Sequence, residues 1–297
     1  MIKKILITGG SGFVGGHLAI QATKRYEVHA ISNKNPIQIK NIHAHQFDLY
    51  QVAQIENLLN DINPDVIIHT AAIANPDRCE DDPDSAIMVN MKATEELAKW
   101  AEKNGIRFIF TSTDMVFDGA KGNYKESDLP NPISFYSQTK VTAEEFITKN
   151  NSNYVIARVA LVYGMGITRQ TSFFEKMIKK LKNGESITLF YDQFRSPILV
   201  NNLAEALLEL VENDFVGIIH LGGSERISRW EFGLKTCEIL NLSSQNIVKG
   251  SMFDFAGAAF RPRDISLVND LAKRVLNAKL LDFREGLERI RKDYKYK

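Results

Sequence analysis

Over the first two-thirds of the chain, short apolar runs alternate with longer stretches of helical periodicity. Residues 2–7, 27–31, 42–47, 66–69, 106–111 and 154–159 read as strands. Their near-continuous Ile, Val and Phe content suits strands covered on both faces, as in a parallel sheet. Between them, residues 12–25, 51–61, 85–104 and 135–149 read as helices. The third of these places Ile87, Met91, Leu97, Ala98 and Ala101 at helical spacing, and Asn104-Gly105 supplies its stop. This alternation predicts an α/β fold: a doubly wound parallel sheet with right-handed crossovers. After about residue 163 the rhythm changes. Helices are expected at 172–182, 203–212 and 228–240, separated by loops such as Asn183-Gly184 and Leu221-Gly222-Gly223. Residues 250–262, rich in Gly, Ala and Phe without periodicity, read as a loop over a cleft. The basic tail, 290–297, is expected to fray. The pattern divides the chain into a sheet domain over 1–163, completed by about 198–221, and a smaller α/β domain over 164–297.

Composition removes several classes of function. The 297 residues carry 37 Lys plus Arg against 36 Asp plus Glu, a formal net charge of +1. That balance gives no field for holding a nucleic-acid backbone. Cys79 and Cys237 are isolated, with neither a CxxC nor a nearby His at ligand spacing, so no metal site and no disulfide framework is expected. No apolar run approaches the roughly 18–20 residues of a membrane span. Lys3-Lys4 before Ile5-Leu6-Ile7 imitates a signal-peptide start, but Gly9-Gly10 ends the apolar stretch too early. A soluble, cytoplasmic protein is expected.

The first strand runs into Gly9-Gly10-Ser11-Gly12-Phe13-Val14-Gly15 and then a helix. A GxxGxxG spacing is weak by itself; its place in the first βα turn gives it weight. There glycines remove the Cβ atoms that would block a pyrophosphate, and the free N–H groups of the helix receive the negative charge. An ordinary Gly-rich turn is the alternative. After the second strand come Ser32, Asn33 and Lys34, with no carboxylate to bind a ribose 2′-hydroxyl, which favours NADP(H) over NAD(H), the second option. Lys34 could equally be a solvated loop charge. Asp48, followed by Leu49, is placed either to meet an adenine or to cap the next helix.

The fifth strand leads into Ser112-Thr113-Asp114-Met115, and Phe135-Tyr136-Ser137-Gln138-Thr139-Lys140 opens a helix. Tyr136 and Lys140, four apart, share one helical face. That spacing is common by chance; its pairing with a hydroxyl-bearing strand end in a dinucleotide-binding fold is the informative feature.

With these residues in view, the chain resembles the extended short-chain dehydrogenase/reductases, and within them the dTDP-4-dehydrorhamnose reductase family, which also contains the regulatory β subunit of methionine adenosyltransferase. The resemblance runs nearly end to end. It includes the glycine turn, His69-Thr70-Ala71-Ala72, Asn90, the stretch Ser112-Thr113-Asp114-Met115-Val116-Phe117-Asp118-Gly119, and Tyr136 with Lys140. Later matches are Arg158, Val162-Tyr163-Gly164, Phe194-Arg195-Ser196-Pro197, His220-Leu221-Gly222-Gly223 and Arg261-Pro262-Arg263. It implies that Tyr136 protonates a substrate carbonyl as hydride arrives from the nicotinamide. Lys140 would favour the phenolate and hold ribose hydroxyls, and Thr113 would place the carbonyl oxygen. Ala71, Ala72 and Asn90 match positions lining the cofactor channel. Thr113, Asp114, Met115, Arg195 and Arg261 fall on the substrate side, where a nucleotide-linked sugar is implied. Arg195 could instead be a structural ion pair, and Arg158 reads as a packing or salt-bridge residue.

Some positions depart from the family. Met115 stands where the reductases usually carry Tyr and dehydratases carry Glu, which argues against a dehydratase. Leu161 replaces the Trp common in the reductases, so the sugar contacts have drifted. The resemblance therefore implies a reductase of a 4-keto-6-deoxysugar nucleotide. Its alternatives are a sugar-nucleotide epimerase or a cofactor-binding regulatory subunit, and a homodimer is compatible with each.

Overall fold

In the computed structural model, which describes residues 2–167, 171–254 and 259–294, the apolar runs become the strands of one sheet. The first half comprises β1 (Lys4–Thr8), α1 (Phe13–Ala22), β2 (Glu27–Ser32), β3 (His43–Gln46), α2 (Ile55–Ile62) and β4 (Val66–His69). It continues through α3 (Pro76–Asp81), α4 (Pro83–Ala86), α5 (Ala93–Lys103), β5 (Arg107–Thr113), α6 (Phe135–Asn150) and β6 (Tyr154–Val159). The second half begins with β7 (Val162–Tyr163), α7 (Phe173–Lys182), β8 (Ile187–Phe190), β9 (Phe194–Arg195), β10 (Ile198–Leu199), α8 (Val200–Glu212) and β11 (Gly217–Leu221). It ends with β12 (Ile227–Ser228), α9 (Arg229–Leu240), β13 (Ile247–Gly250), α10 (Asp270–Val275) and α11 (Phe283–Asp293).

Among the described residues the main sheet has seven parallel strands in the order β11-β6-β5-β4-β1-β2-β3. The winding reverses between β1 and β4, and the crevice beyond their C-terminal ends is where such sheets bind ligands. Period-2 alternation sorts the core onto two faces. Ile5 and Ile7 pack with Leu18, Leu203 and Leu207 of α1 and α8, whereas Leu6 joins Leu59, Leu97 and Ile147 of α2, α5 and α6. Beyond β6 the chain returns to the sheet through α8, packed on α1, and β11, paired in register with β6. A separate aromatic core, Tyr163, Phe174, Phe232 and Phe283, holds α7, α9 and α11 together.

Three local expectations change. Helix 85–104 is broken: α4 passes into a π-helical stretch, Ile87–Lys92, before α5 begins. The wider turn lets Asn90 point its carboxamide across to Ile73 and Thr139. The tail does not fray from residue 290: Asp282 and Glu285 form a capping box, Ile290 is buried, and α11 runs to Asp293. Of the loop expected over 250–262, residues 255–258 lie outside the described residues, and Met252–Asp254 forms a single 3-10 turn. Both cysteines are buried and free. Among the described residues no helix is long and apolar enough to cross a membrane.

Candidate active site

The glycine turn is built by steric necessity. Gly9 sits at φ +72°, and its carbonyl accepts from the Gly12 N–H at 2.8 Å, folding the chain tightly before α1. A Cβ at Gly15 would lie 2.2 Å from the Gly9 oxygen, and one at Gly12 would lie 2.9 Å from it. Helix α1 begins at Phe13, Val14 and Gly15 with no side-chain cap and no acidic residue in its first turn. Its leading N–H groups therefore offer an anion a site that no carboxylate contests. Gly15→Ala is expected to push the turn off α1 and weaken NADPH binding at least about 10-fold, which fluorescence titration of the cofactor checks.

A cleft of about 530 Å³ opens beside this turn. Gly9, Gly12, Ser32, Asn33, Lys34, Asp48, Leu49, Ala71 and Ala72 all line it. Asp48 also ends its own turn, its Oδ1 accepting from the Tyr50 N–H at 3.0 Å. The same wall holds residues that sequence reasoning missed, including Ser11, Tyr50, Ser85 and Arg78. Arg78 is a second cation, with Lys34, on the lining of this cleft. Its signal was Asn75-Pro76, a helix start six residues after the end of the fourth strand: Asn75 caps α3 by accepting from Asp77 and Arg78.

A buried polar relay fixes the floor. The Thr8 hydroxyl accepts from the N–H groups of Thr70 and Ala71, each at 3.1 Å, which leaves its proton for Nδ1 of His69 at 2.6 Å. His69 then donates from Nε2 to Thr94, and Thr94 donates to the carbonyl of Asn90. Burial pushes His69 down to about 3, so it stays neutral, as this relay requires. Asn90 grips Ile73 with both ends of its carboxamide and donates to Thr139, which donates to the carbonyl of Tyr136. The relay thus ties the ends of β1 and β4 to the first turn of α6.

Helix α6 starts at Phe135 because Ser134 accepts from the Ser137 N–H, and this cap aims Tyr136 at the end of β5. Thr113, the last residue of β5, stands beside the Tyr136 hydroxyl and acts against the burial that raises it. It also accepts from the Met115 N–H at 3.2 Å, which turns the chain so that Met115 packs beside Tyr136 and Cys79. Burial raises the Tyr136 phenol above its ordinary value, so it holds its proton throughout the neutral range. One turn on, Lys140 lies 2% exposed with Nζ 3.9 Å from the centre of the Phe110 ring. Burial pushes it down to about 7, against the pull of Glu144. Glu144, another turn along, makes a two-pronged ion pair with Arg158 of β6 at 2.7 and 3.1 Å and accepts from Ser112.

Past Thr113, Asp114 is buried with Oδ2 lacking any partner, and burial raises it to about 6. Arg195 and Arg229 act on it electrostatically. Arg195 is buried and donates to the carbonyls of Phe194, Pro262 and Arg263. Arg229, which the sequence did not single out, lies 3.8 Å over the Phe173 ring and is pushed down to about 9 by burial and by Arg195. Arg261 reaches back to Asp77 of α3 at 2.5 Å, and Asp77 also accepts from the Ala259 N–H. Thr113, Tyr136 and Lys140 therefore stand together, Asp114 beside them, while Arg261 closes a contact with α3.

Comparison with known proteins places this architecture. Residues 3–296 match the family model described as the RmlD substrate binding domain. A probable low-salt glycan biosynthesis reductase from Haloferax volcanii is 32% identical over 262 residues, 86% of this chain and 87% of its own. The methionine adenosyltransferase 2 subunit beta of Xenopus tropicalis is 29% identical, covering 96% of this chain and 86% of its own. The crystal structure of dTDP-4-dehydrorhamnose reductase from Bacillus anthracis in complex with NADP superposes with a TM-score of 0.87 at 26% identity, over 99% of this chain and 100% of that one. With one family model spanning nearly every residue and the Rossmann strand order present, the chain belongs to the RmlD family, that of the dTDP-4-dehydrorhamnose reductases.

Proposed function

We propose that this protein reduces the C4 carbonyl of a 4-keto-6-deoxysugar nucleotide, with Tyr136 as the proton donor. It is an NAD(P)-dependent oxidoreductase of the sugar-nucleotide reductase type. The observation that carries the finer reading is Tyr136, protonated and beside Thr113 at the sheet's C-terminal edge, one helical turn from Lys140. A bound NADPH would supply the hydride to the carbonyl carbon. Thr113 would hold the carbonyl oxygen within reach of the Tyr136 hydroxyl, whose proton moves to that oxygen as negative charge develops. Lys140, cationic below its pKa of about 7, would stabilise the phenolate left behind.

The uncapped start of α1 with Gly9, Gly12 and Gly15 would take the pyrophosphate, and Ser32, Asn33 and Lys34 the 2′-phosphate. Asp48 and Leu49 would face the adenine, and Ala71, Ala72 and Asn90 would border the channel towards the nicotinamide. Asp114, Met115, Arg195 and Arg261 would meet the sugar nucleotide, with residues 164–297 forming most of the substrate side. The epimerase and regulatory-subunit readings are not favoured. The test is an assay of the purified protein with dTDP-4-keto-6-deoxy sugars. NADPH absorbance should fall in step with product, and more slowly with NADH. No oxidation of either cofactor would overturn the proposal.

A further inference from the structure

Three of the six histidines in the chain meet at one place that the reaction does not use. The parallel register of β2 and β3 sets His29 beside His43 and Ile31 beside His45. Because side chains alternate along a strand, Glu27, His29, His43 and His45 all project from the same face of the sheet. The imidazoles of His29 and His43 stack at 4.5 Å between centres, and those of His29 and His45 at 5.1 Å. β3 is the edge strand, so His43 is exposed, whereas His29 is buried.

We propose that Glu27, His29 and His43 form a binding site for a divalent transition-metal ion of the zinc class. One donor atom from each residue lies within 4.8 Å of the other two. Nε2 of His29 and Oε1 of Glu27 are 3.0 Å apart, close to the roughly 3.3 Å between neighbouring ligands of a tetrahedral zinc ion. Rotation of the exposed His43 ring brings the third donor in, and water completes the shell. Two imidazoles and a carboxylate select zinc-like ions over magnesium or calcium, which prefer oxygen.

The arrangement around this trio is that of a prepared ligand set. With metal on Nε2, His29 keeps its proton on Nδ1, which lies 2.9 Å from Nε2 of His45. That hydrogen bond fixes the ring and raises its basicity, as outer partners of metal-bound histidines do. Lys4 acts on His29 as a cation and opposes a metal there, and its ammonium donates to the carbonyl of Ile62. The site lies towards the start of β2, three residues, or about 10 Å, from Ser32 at the cofactor end. An ion there would cross-link the edge strand to its neighbour without touching the catalytic groups.

The test is calorimetric titration of the untagged chain with Zn²⁺ near neutral pH, paralleled by Co²⁺ absorption. The wild type is expected to bind one equivalent and to give the intense visible bands of four-coordinate Co²⁺. His43→Ala and Glu27→Gln, both changes at accessible side chains, should each weaken Zn²⁺ binding at least about 10-fold while the circular dichroism spectrum is unchanged. Affinity should also fall as the pH drops and protons compete for the imidazoles. Absence of stoichiometric binding by the wild type, or wild-type affinity in either variant, would overturn the proposal.

Discussion

Tyr136→Phe is expected to lower kcat by about 10²–10⁴-fold, the contribution of a positioned general acid, while NADPH affinity stays close to that of the wild type. The substitution removes only the hydroxyl. The ring keeps its packing against Cys79 and Ala86, and the Ser134 cap and the Asn90–Thr139 grip on α6 are untouched. A stopped-flow comparison of single turnovers separates the chemical step from binding. An unchanged rate would remove Tyr136 from the mechanism and leave the family membership intact. The pH dependence offers a second check. Tyr136 remains a phenol through neutral pH, so the titration near 7 belongs to Lys140. Lys140 is charged below that point and neutral above it. Turnover that depends on its charge should therefore decline as the pH rises through about 7.

The largest effect on stability is expected from Glu144→Ala. The side chains of Glu144 and Arg158 are 4% and 2% exposed, and each answers the other's charge. Truncating the carboxylate leaves the Arg158 guanidinium buried over the Phe117 ring without a counter-charge. Breaking such a pair costs about 3–5 kcal/mol, a large part of the roughly 5–15 kcal/mol that holds a typical domain folded. Urea unfolding at neutral pH measures it. The double substitution Glu144→Leu with Arg158→Met should recover most of the loss, because it removes both charges and keeps the volume. A Glu144→Ala protein as stable as the wild type would show that Arg158 finds another partner or water. Glu144→Gln has a separate consequence for catalysis. Glu144 favours the charged form of Lys140, so its neutralisation should move the Lys140 limb of the pH–rate profile to lower pH.

The relation between chain and fold differs from one part to another. Strands β1, β2, β4, β5 and β6 were legible because burial on both faces demands nearly unbroken apolar runs, and Val66–His69 and Tyr154–Val159 keep the bounds their composition implies, whereas β3 proved an exposed edge strand. The glycine turn was legible because only glycine fits where a Cβ would meet the Gly9 carbonyl. The break in helix 85–104 was not, since nothing in local propensity announces that Asn90 will be needed by Ile73 and Thr139. The end of the chain was misread because its charges face solvent while Phe283, Leu287 and Ile290 fill the aromatic core from the other side of the same helix.

The sequence by itself determined the strand–helix alternation from β1 to β6, the anion-ready first turn, and Tyr136 and Lys140 on one helical face. These depend on spacing within single elements, where a few residues dictate local geometry. Only the tertiary structure decided what meets across elements. It set Thr113 beside Tyr136, Glu144 against Arg158, Arg78 in the cleft with the glycines, and His29 beside His43. Such pairings follow from sheet register and helix packing, in which contact between distant residues is fixed by the burial of the whole core.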